Sequence, residues 1–338
     1  MDRKVSIVIP CRNEERFITD LLHSILKADH AGCTVTALVC DGMSDDGTRT
    51  IVADLAQAHP SIRLVDNPKR TTPQALNIGL QFMPFDVGII MGAHAEIDPG
   101  FIRENLKILD ADPSIGCAGG IIENVFDGPV SRRIGAAMGH PFGVGGAHFR
   151  TGGREGPVDT VAFGAYRREV FERVGWFDED LVRNQDDEFN YRVLQAGFKI
   201  FLSKAVRSKY YVRASYARLF KQYVQYGYWK VYVNRKHRAI TTLRQVVPAL
   251  FVLFLILAPI LAWAVPVLRP LLLGILLLYL ALAVTSAVRA RIRPGDTAGV
   301  MYAFMAMHVA YGWGYLKGIF RFILFRGSPS GSSKSLTR

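Results

Sequence analysis

The acids of this chain stop at Glu188. Of its 29 Asp and Glu residues, only Asp296 lies beyond that point. A basic, tyrosine-rich stretch follows at 204–244, and then come runs at 246–268 and 270–288 that carry no charge. These runs hold 23 and 19 residues, and each is long enough to cross a hydrocarbon layer of about 30 Å. The sequence therefore divides into a carboxylate-rich soluble head and a second half that faces a membrane. A head of roughly 200 residues buries a core of its own.

The formal charge of +12 is concentrated beside the apolar runs, so anionic lipid headgroups account for it. No arginine-rich recognition helix or RNA-binding aromatic motif accompanies it, and nucleic acid is excluded as a partner. The cysteines Cys11, Cys33, Cys40 and Cys117 form no C-x-x-C pair and all lie in the head, as expected of reduced thiols. The opening apolar run, VSIVIP at 5–10, is too short for a signal peptide. The head is expected in the cytoplasm.

The head alternates strand and helix. Strands are predicted at 5–10, 33–40, 62–66 and 87–91, with helices at 14–27, 48–58, 71–82 and from Pro99 onward. Thr71 and Asp98 are read as caps. Such alternation implies a doubly wound, mostly parallel α/β sheet, with ligands at the carboxyl ends of the strands. Those ends are 10–14, 41–46 and 92–96. Residues 127–157 hold nine glycines and three prolines without a period, which reads as a mobile lid or acceptor loop or as a surface insertion. The pattern resumes with a strand at 158–163, helices at 167–174 and 186–196, and a strand at 198–202.

The 204–244 stretch has eleven Lys and Arg residues, no acid, and seven tyrosines between Tyr210 and Tyr232, which reads as interfacial helix. Cations flank 246–268 on its N-terminal side and 270–288 on its C-terminal side. By the positive-inside rule these two spans form a hairpin with both ends cytoplasmic. A third full span at 298–316 would break that rule, so it is read as spanning, re-entrant or interfacial. The expected divisions are a head over 1–203, interfacial helices over 204–244, membrane segments over 245–326 and a tail over 327–338.

Several short motifs occur in order: IVIPCRNEE, DGMSDDGT, TTPQALNIGL, AHAE, PFGVGGAHFR, VDTVAFGAYRREVF, and LVRNQDDEFNYR followed by QAGFKI. Together, over roughly residues 4–240, they resemble the family 2 glycosyltransferases, nearest the ExoA type of succinoglycan biosynthesis. The resemblance implies an inverting, nucleotide-sugar-dependent enzyme with a Rossmann-like GT-A head. It implies that Asp41 receives the base of a UDP-sugar and that Pro10, Arg12 and Glu14 form the adjoining edge for base and ribose. Arg70, Asn77 and Ala93 fall on the donor side by the same match. Taken alone, Asp41 is equally an Asx-turn residue and Arg70 a surface arginine.

In this family the fourth strand ends in a D-x-D or D-x-H motif that holds Mg²⁺ or Mn²⁺. Here it reads Gly92-Ala93-His94. The first acid is missing, His94 is left as the metal ligand, and an imidazole suits Mn²⁺ better than Mg²⁺. By the match, Asp186 is the general base, with Asp187 its alternative. Both also suit a helix N-terminus, and Glu188 can pair with Arg192 at i+4. Trp176 could stack on an acceptor sugar or pack in the core. The expected activity is transfer of a hexose, glucose by the resemblance, to a lipid-linked saccharide in exopolysaccharide assembly at the inner membrane. Membrane lipids and other polysaccharide-assembly proteins would be its partners. The rivals are a polyprenyl-phosphate glycosyltransferase and a catalytically silent nucleotide-sugar-binding subunit.

Overall fold

The computed structural model describes residues 2–212, 214–241, 243–290 and 293–329. The chain forms two compact units, Met1–Asn124 with His148–Tyr211 and Val125–Ala147 with Val212–Arg338. The tail expected over 327–338 lies outside the described residues from 330 onward.

The first unit begins with β1 (Lys4–Cys11), α1 (Ile18–Lys27), β2 (Thr34–Asp41), α2 (Thr48–Ala58), β3 (Ile62–Asp66), α3 (Thr72–Phe82) and β4 (Val87–Ile90). These strands are parallel in the order β3-β2-β1-β4. Side chains alternate across a strand, so β1 feeds both faces of the sheet. Val5, Ile7 and Ile9 pack with Leu21, Leu22 and Val52 of α1 and α2 on one face. Val8 packs with Leu76 and Leu80 of α3 on the other. That is why the strands read as near-continuous apolar runs.

After β4 come β5 (Ala95–Ile97), α4 (Phe101–Ala111) and β6 (Ile115–Val125). The chain then enters the second unit as α5 (Pro129–Met138) and the single turn α6 (Pro141–Val144), and returns at α7 (His148–Thr151). It closes the first unit with β7 (Gly156–Val158), β8 (Ala162–Arg167), α8 (Arg168–Val174), α9 (Gln185–Gln195) and β9 (Lys199–Tyr211). The sheet continues past β4 as β8-β6-β9-β5, with β7 also on β9. The β4–β8, β8–β6, β9–β5 and β9–β7 pairs are antiparallel. The α/β class holds, with the parallel strands confined to the first half of the sheet.

Three expectations change here. β6 was not foreseen, because glycines break its pattern. A Cβ on Gly120 would lie 1.8 Å from the carbonyl oxygen of Val206, so only glycine lets β6 and β9 approach this closely. β9 continues to Tyr211, beyond the expected boundary at 203. Val206 and Ser208 are buried and Lys204 and Arg207 exposed, so the first part of the basic stretch is a strand rather than an interfacial helix. The helix caps also differ. Thr71 is the N-cap residue of α3 without a side-chain bond, and α4 is capped at Gly100, with Asp98 accepting through its backbone oxygen from Phe101 N–H.

The second unit adds α10 (Tyr216–His237), α11 (Val247–Ala264), α12 (Arg269–Arg289) and α13 (Thr297–Gly318), which runs on as a π-helical turn at Ile319–Leu324. Two stretches are long and apolar enough to cross a membrane, Leu243–Ala264 and Pro266–Arg289, with mean hydropathies of 2.6 and 2.5. Their large side chains point outward, Leu250, Trp263 and Leu271 among them. In contrast, α13 is buried along most of its length. Its glycines let neighbouring backbones meet: added Cβ atoms at Gly314 and Gly312 would lie 2.0 Å from the Val224 oxygen of α10 and 2.1 Å from the Pro248 oxygen of α11. Residues 129–138, read as part of a loop, form a regular helix. Arg132 Nε and Arg133 Nε of that helix donate to Asp296 Oδ2 and Oδ1 at 2.7 and 2.6 Å. The last acid of the chain is thus buried and paired twice, and these bonds hold its carboxyl below the usual carboxylate value.

Candidate active site

The strand order reverses between β1 and β4: the chain passes from β1 outward to β2 and β3, then returns to the other side of β1 as β4. A crevice opens at such a switch point, at the carboxyl ends of the two strands. Its walls here are the segments after β1 and after β4.

The segment after β1 is braced against the turn after β2. Asn13, at φ 54°, donates from its backbone N–H to Ser44 Oγ at 2.9 Å. Its side chain exchanges hydrogen bonds with Asp45, donating to Oδ1 at 2.6 Å and accepting from the Asp45 N–H at 3.1 Å. Glu14 N–H donates to Thr48 Oγ1 at 2.8 Å, and Gly47 N–H to Glu15 Oε2 at 2.7 Å. These bonds explain why RNEE and DGMSDDGT occur together: each satisfies the polar backbone of the other. Arg12 lies over Gly42, where an added Cβ would come within 3.3 Å of the Arg12 Cβ.

Asp41 ends β2 beside Cys11 and is fully buried. Ser44 N–H donates to its Oδ2 at 2.9 Å and the Ser44 hydroxyl to its Oδ1. Arg49 Nη1 reaches the same Oδ2 at 2.7 Å, while Arg49 Nη2 reaches Asp66. The Asx-turn geometry is therefore real. Pro10 is partly exposed at the β1 edge, and Arg70 is exposed after β3 with φ 60°.

Asn77 sits apart from these groups. It is buried in α3, donates to the Phe177 carbonyl at 2.9 Å and to Glu179 Oε1 at 3.1 Å, and accepts from Phe177 N–H at 2.9 Å. Its polar atoms clamp the chain before α9. The buried Ala93 presents no polar side chain.

At the β4 end, His94 Nδ1 lies 3.5 Å from Glu14 Oε1, across the crevice mouth. Its ring meets Phe17 and Tyr210 edge-on, with centroids 6.4 and 5.0 Å away. Glu96 is already engaged: the Tyr211 hydroxyl and Lys209 Nζ both donate to it. Burial pushes the Glu96 carboxyl up, but these two donors outweigh it and hold the group below its ordinary value. Hydrogen bonding to Glu96 and burial push the Tyr211 hydroxyl up to about 12. Among the described residues no three His, Cys, Asp or Glu side chains come together to hold a metal. A Cβ at Gly92 would lie 3.3 Å from Phe163 Cε1, so even the space for the missing acid is partly taken. The residues present do not fit an ion held by two protein acids.

The acids at the start of α9 have separate fates. Glu188 is fully buried and makes a forked ion pair with Arg192, at 2.9 Å to Nη2 and 3.0 Å to Nε. Arg192 in turn donates to the Val174 and Trp176 carbonyls. Trp176 stacks on Phe171 at 5.5 Å and stays 39% exposed. Asp186 is exposed and Asp187 partly so, and Asp187 N–H donates to Asp186 Oδ1 at 2.9 Å. One turn after Asp186, on the same face, Asn190 accepts from the Tyr166 hydroxyl at 2.8 Å and donates to Thr160 at 2.9 Å. The first bond ties α9 to the end of β8 and the second to the residues just before that strand. Because β8 runs antiparallel to β4, its start lies at the carboxyl end of β4. The side-chain oxygen of Gln185 is shielded and has no partner among the described residues.

Burial pushes the Cys40 thiol up to about 12 and the Cys117 thiol upward as well, so neither is a nucleophile at neutral pH. Thr48, Ser44, Phe163, Tyr210 and Arg150 were not foreseen as members of the site. For Arg150 the signal was present, since it ends the AHFR of the glycine-rich loop.

The glycosyl transferase family 2 profile matches residues 6–175. The chain is similar to the succinoglycan biosynthesis protein ExoA of Rhizobium meliloti (strain 1021), 31% identical over 72% of this chain and 73% of that protein. It is also similar to a Methanococcus voltae dolichyl N-acetyl-alpha-D-glucosaminyl phosphate 3-beta-D-2,3-diacetamido-2,3-dideoxy-beta-D-glucuronosyltransferase, 30% identical over 69% of this chain and 74% of that one. The fold matches the mannosyltransferase PcManGT of Pyrobaculum calidifontis, solved with GDP-Man and Mn²⁺, at TM-score 0.59 and 20% identity, covering 93% of this chain and 88% of that one.

Proposed function

This chain belongs to glycosyl transferase family 2, with the GT-A fold, and from that membership we propose that it moves a hexose from a UDP-sugar to a lipid-linked saccharide in exopolysaccharide assembly. The observation that carries the catalytic reading is the division of labour at the start of α9. Glu188 is locked into structure, while Asp186 one turn before Asn190 is exposed. An exposed carboxylate there has the chemistry of a general base. It takes the proton of the acceptor hydroxyl as that oxygen bonds to the anomeric carbon. The bond from that carbon to the donor's diphosphate breaks on the opposite face, and the configuration inverts.

Pro10, Arg12 and Glu14 would line the nucleotide, and the braced Asp41 turn would present the base-binding edge as a preformed surface. Mn²⁺ accompanies the donor in the mannosyltransferase neighbour. Here a divalent ion, Mn²⁺ or Mg²⁺, belongs to the proposal only as a companion of the donor's own phosphates. The acceptor class is supported by the archaeal relative, whose name specifies a dolichyl-linked sugar phosphate, and the polysaccharide setting by the ExoA relative, named for succinoglycan biosynthesis. The two apolar helices associate the chain with a membrane. We place the head on the cytoplasmic face of the inner membrane because cations cluster at both ends of the hairpin, with Arg235, Lys236, Arg238 and Arg244 before it and Arg289 and Arg293 after it, while its tip carries only Arg269.

The test is a donor screen on membranes containing the protein, with the lipid product identified by thin-layer chromatography. Transfer from a UDP-hexose to a lipid that already bears sugar is the expected result. A product on a bare polyprenyl phosphate would replace the acceptor, and the absence of transfer from every nucleotide sugar would leave a binding subunit.

A further inference from the structure

Arg150, in the short turn α7, has an environment that nothing above uses. Its guanidinium carbon lies 5.2 Å from the centroid of the Tyr210 ring and 5.5 Å from that of Phe149. Tyr210 meets His94 edge-on at 5.0 Å, and His94 faces Glu14 across the crevice mouth. So a cation is stacked on an aromatic ring one side chain away from the end of β4. Its Nη1 is shielded from solvent and has no hydrogen-bond partner among the described residues. A guanidinium cannot give up its charge, and a shielded donor left unmet is unfavourable. Contact with the Tyr210 ring holds the group without using its N–H donors. That arrangement fits a ligand with several anionic oxygens.

Arg70, the other cation that falls on the donor side by the family match, is exposed after β3, at the far end of the β3-β2-β1-β4 order from the β4 end. The position where an acid would help hold a neutralising cation is Gly92, crowded by Phe163, and Glu96 is spent on Tyr211 and Lys209. We infer that Arg150 binds the diphosphate of the donor and neutralises it as it leaves, supplying the positive charge of a metal ion that an acid at Gly92 would help hold. The inference rests on the nucleotide-sugar reading above. As the acceptor oxygen bonds to the anomeric carbon and its proton passes to Asp186, the electron pair of the breaking bond stays on the diphosphate oxygen. The charge that develops there is met by a planar cation able to hold two oxygens at once.

The experiment is calorimetric titration of the full-length protein in detergent, with EDTA present. It uses whichever of UDP, GDP, ADP and CDP the wild type binds most tightly, and that diphosphate's parent nucleoside. Arg150→Met should weaken diphosphate binding by about tenfold or more and leave nucleoside binding unchanged, and Arg150→Lys should fall between. Equal diphosphate affinity in wild type and Arg150→Met overturns the inference and leaves the donor reading standing. Equal loss of diphosphate and nucleoside makes Arg150 a folding residue and also overturns it. A wild type that binds none of the four diphosphates sinks the donor reading, and this inference with it.

Discussion

At the scale of single residues, the three adjacent acids of QDDE differ in what surrounds them. Glu188 faces inward and meets Arg192, so its charge is consumed by structure. Asp186 is exposed one turn before a buried Asn190 that is bonded to Tyr166 and Thr160. Asp186→Asn keeps the shape and the oxygen that receives the Asp187 N–H but cannot take a proton. Turnover is expected to fall by roughly 10²-fold or more with nucleotide binding retained. Single-turnover kinetics beside a binding titration check this, and near-normal turnover moves the role to Asp187. Gly92 gives a second residue-level prediction. Gly92→Asp alone must push Phe163 aside, whereas Gly92→Asp with Phe163→Leu has room for the carboxylate. The double variant is expected to bind Mn²⁺ more tightly than either single one in a titration of donor turnover. The missing acid was legible in the sequence, as was the i+4 partner of Glu188. The contacts of Asn77 and Arg150 were not, because their partners lie about a hundred and about sixty positions away in the chain, respectively.

At the scale of elements, local periodicity was legible and long-range pairing was not. The predicted helix at 48–58 and strand at 62–66 match α2 and β3, since a buried face stamps its period on the sequence. β6 escaped because Gly120 is there for the Val206 carbonyl, a constraint set by a strand more than eighty residues later. The glycines of α13 made that segment ambiguous for the same reason: they serve close helix packing rather than a break. Gly314→Val would drive a side chain into the Val224 backbone, and overpacking of this kind costs about 1–3 kcal/mol or more. Gly274→Ala in α12 meets open space. Thermal unfolding in detergent should show a clear drop in Tm for the first and little change for the second. The α5 contact adds a pH signature. The Asp296 carboxyl is held below its unfolded value, so its contribution is fully present above about pH 4 and is lost as pH falls through the lower folded value. Asp296→Asn should lower Tm at neutral pH and flatten the acid limb of the Tm–pH curve.

At the scale of the whole molecule, the boundary between the two units does not run once along the chain. The second unit takes residues 125–147 from the middle of the first, and α5 within it depends on Asp296 of the C-terminal half. This changes what truncation should do. A chain cut near 203 would lose the last part of β9, including Val206 and Ser208, which are buried in the sheet. A chain ending at Tyr211 keeps the sheet but strands Arg132 and Arg133 without their acid. It also bares Ile134, Ala137 and Met138, which are buried in the second unit. Exposed apolar patches of that kind drive association. The chain ending at Tyr211 is therefore expected to aggregate. The same chain with 125–147 replaced by a short Gly-Ser linker should be monodisperse by size-exclusion chromatography. That shortened head should still bind the donor nucleotide, because the β1 and β2 turns and His94 all belong to the first unit. It should not float with liposomes, and it should transfer no sugar to a lipid acceptor, because both apolar helices are gone. Transfer to lipid at normal acceptor affinity by the shortened head would show that the second half plays no part in presenting the acceptor.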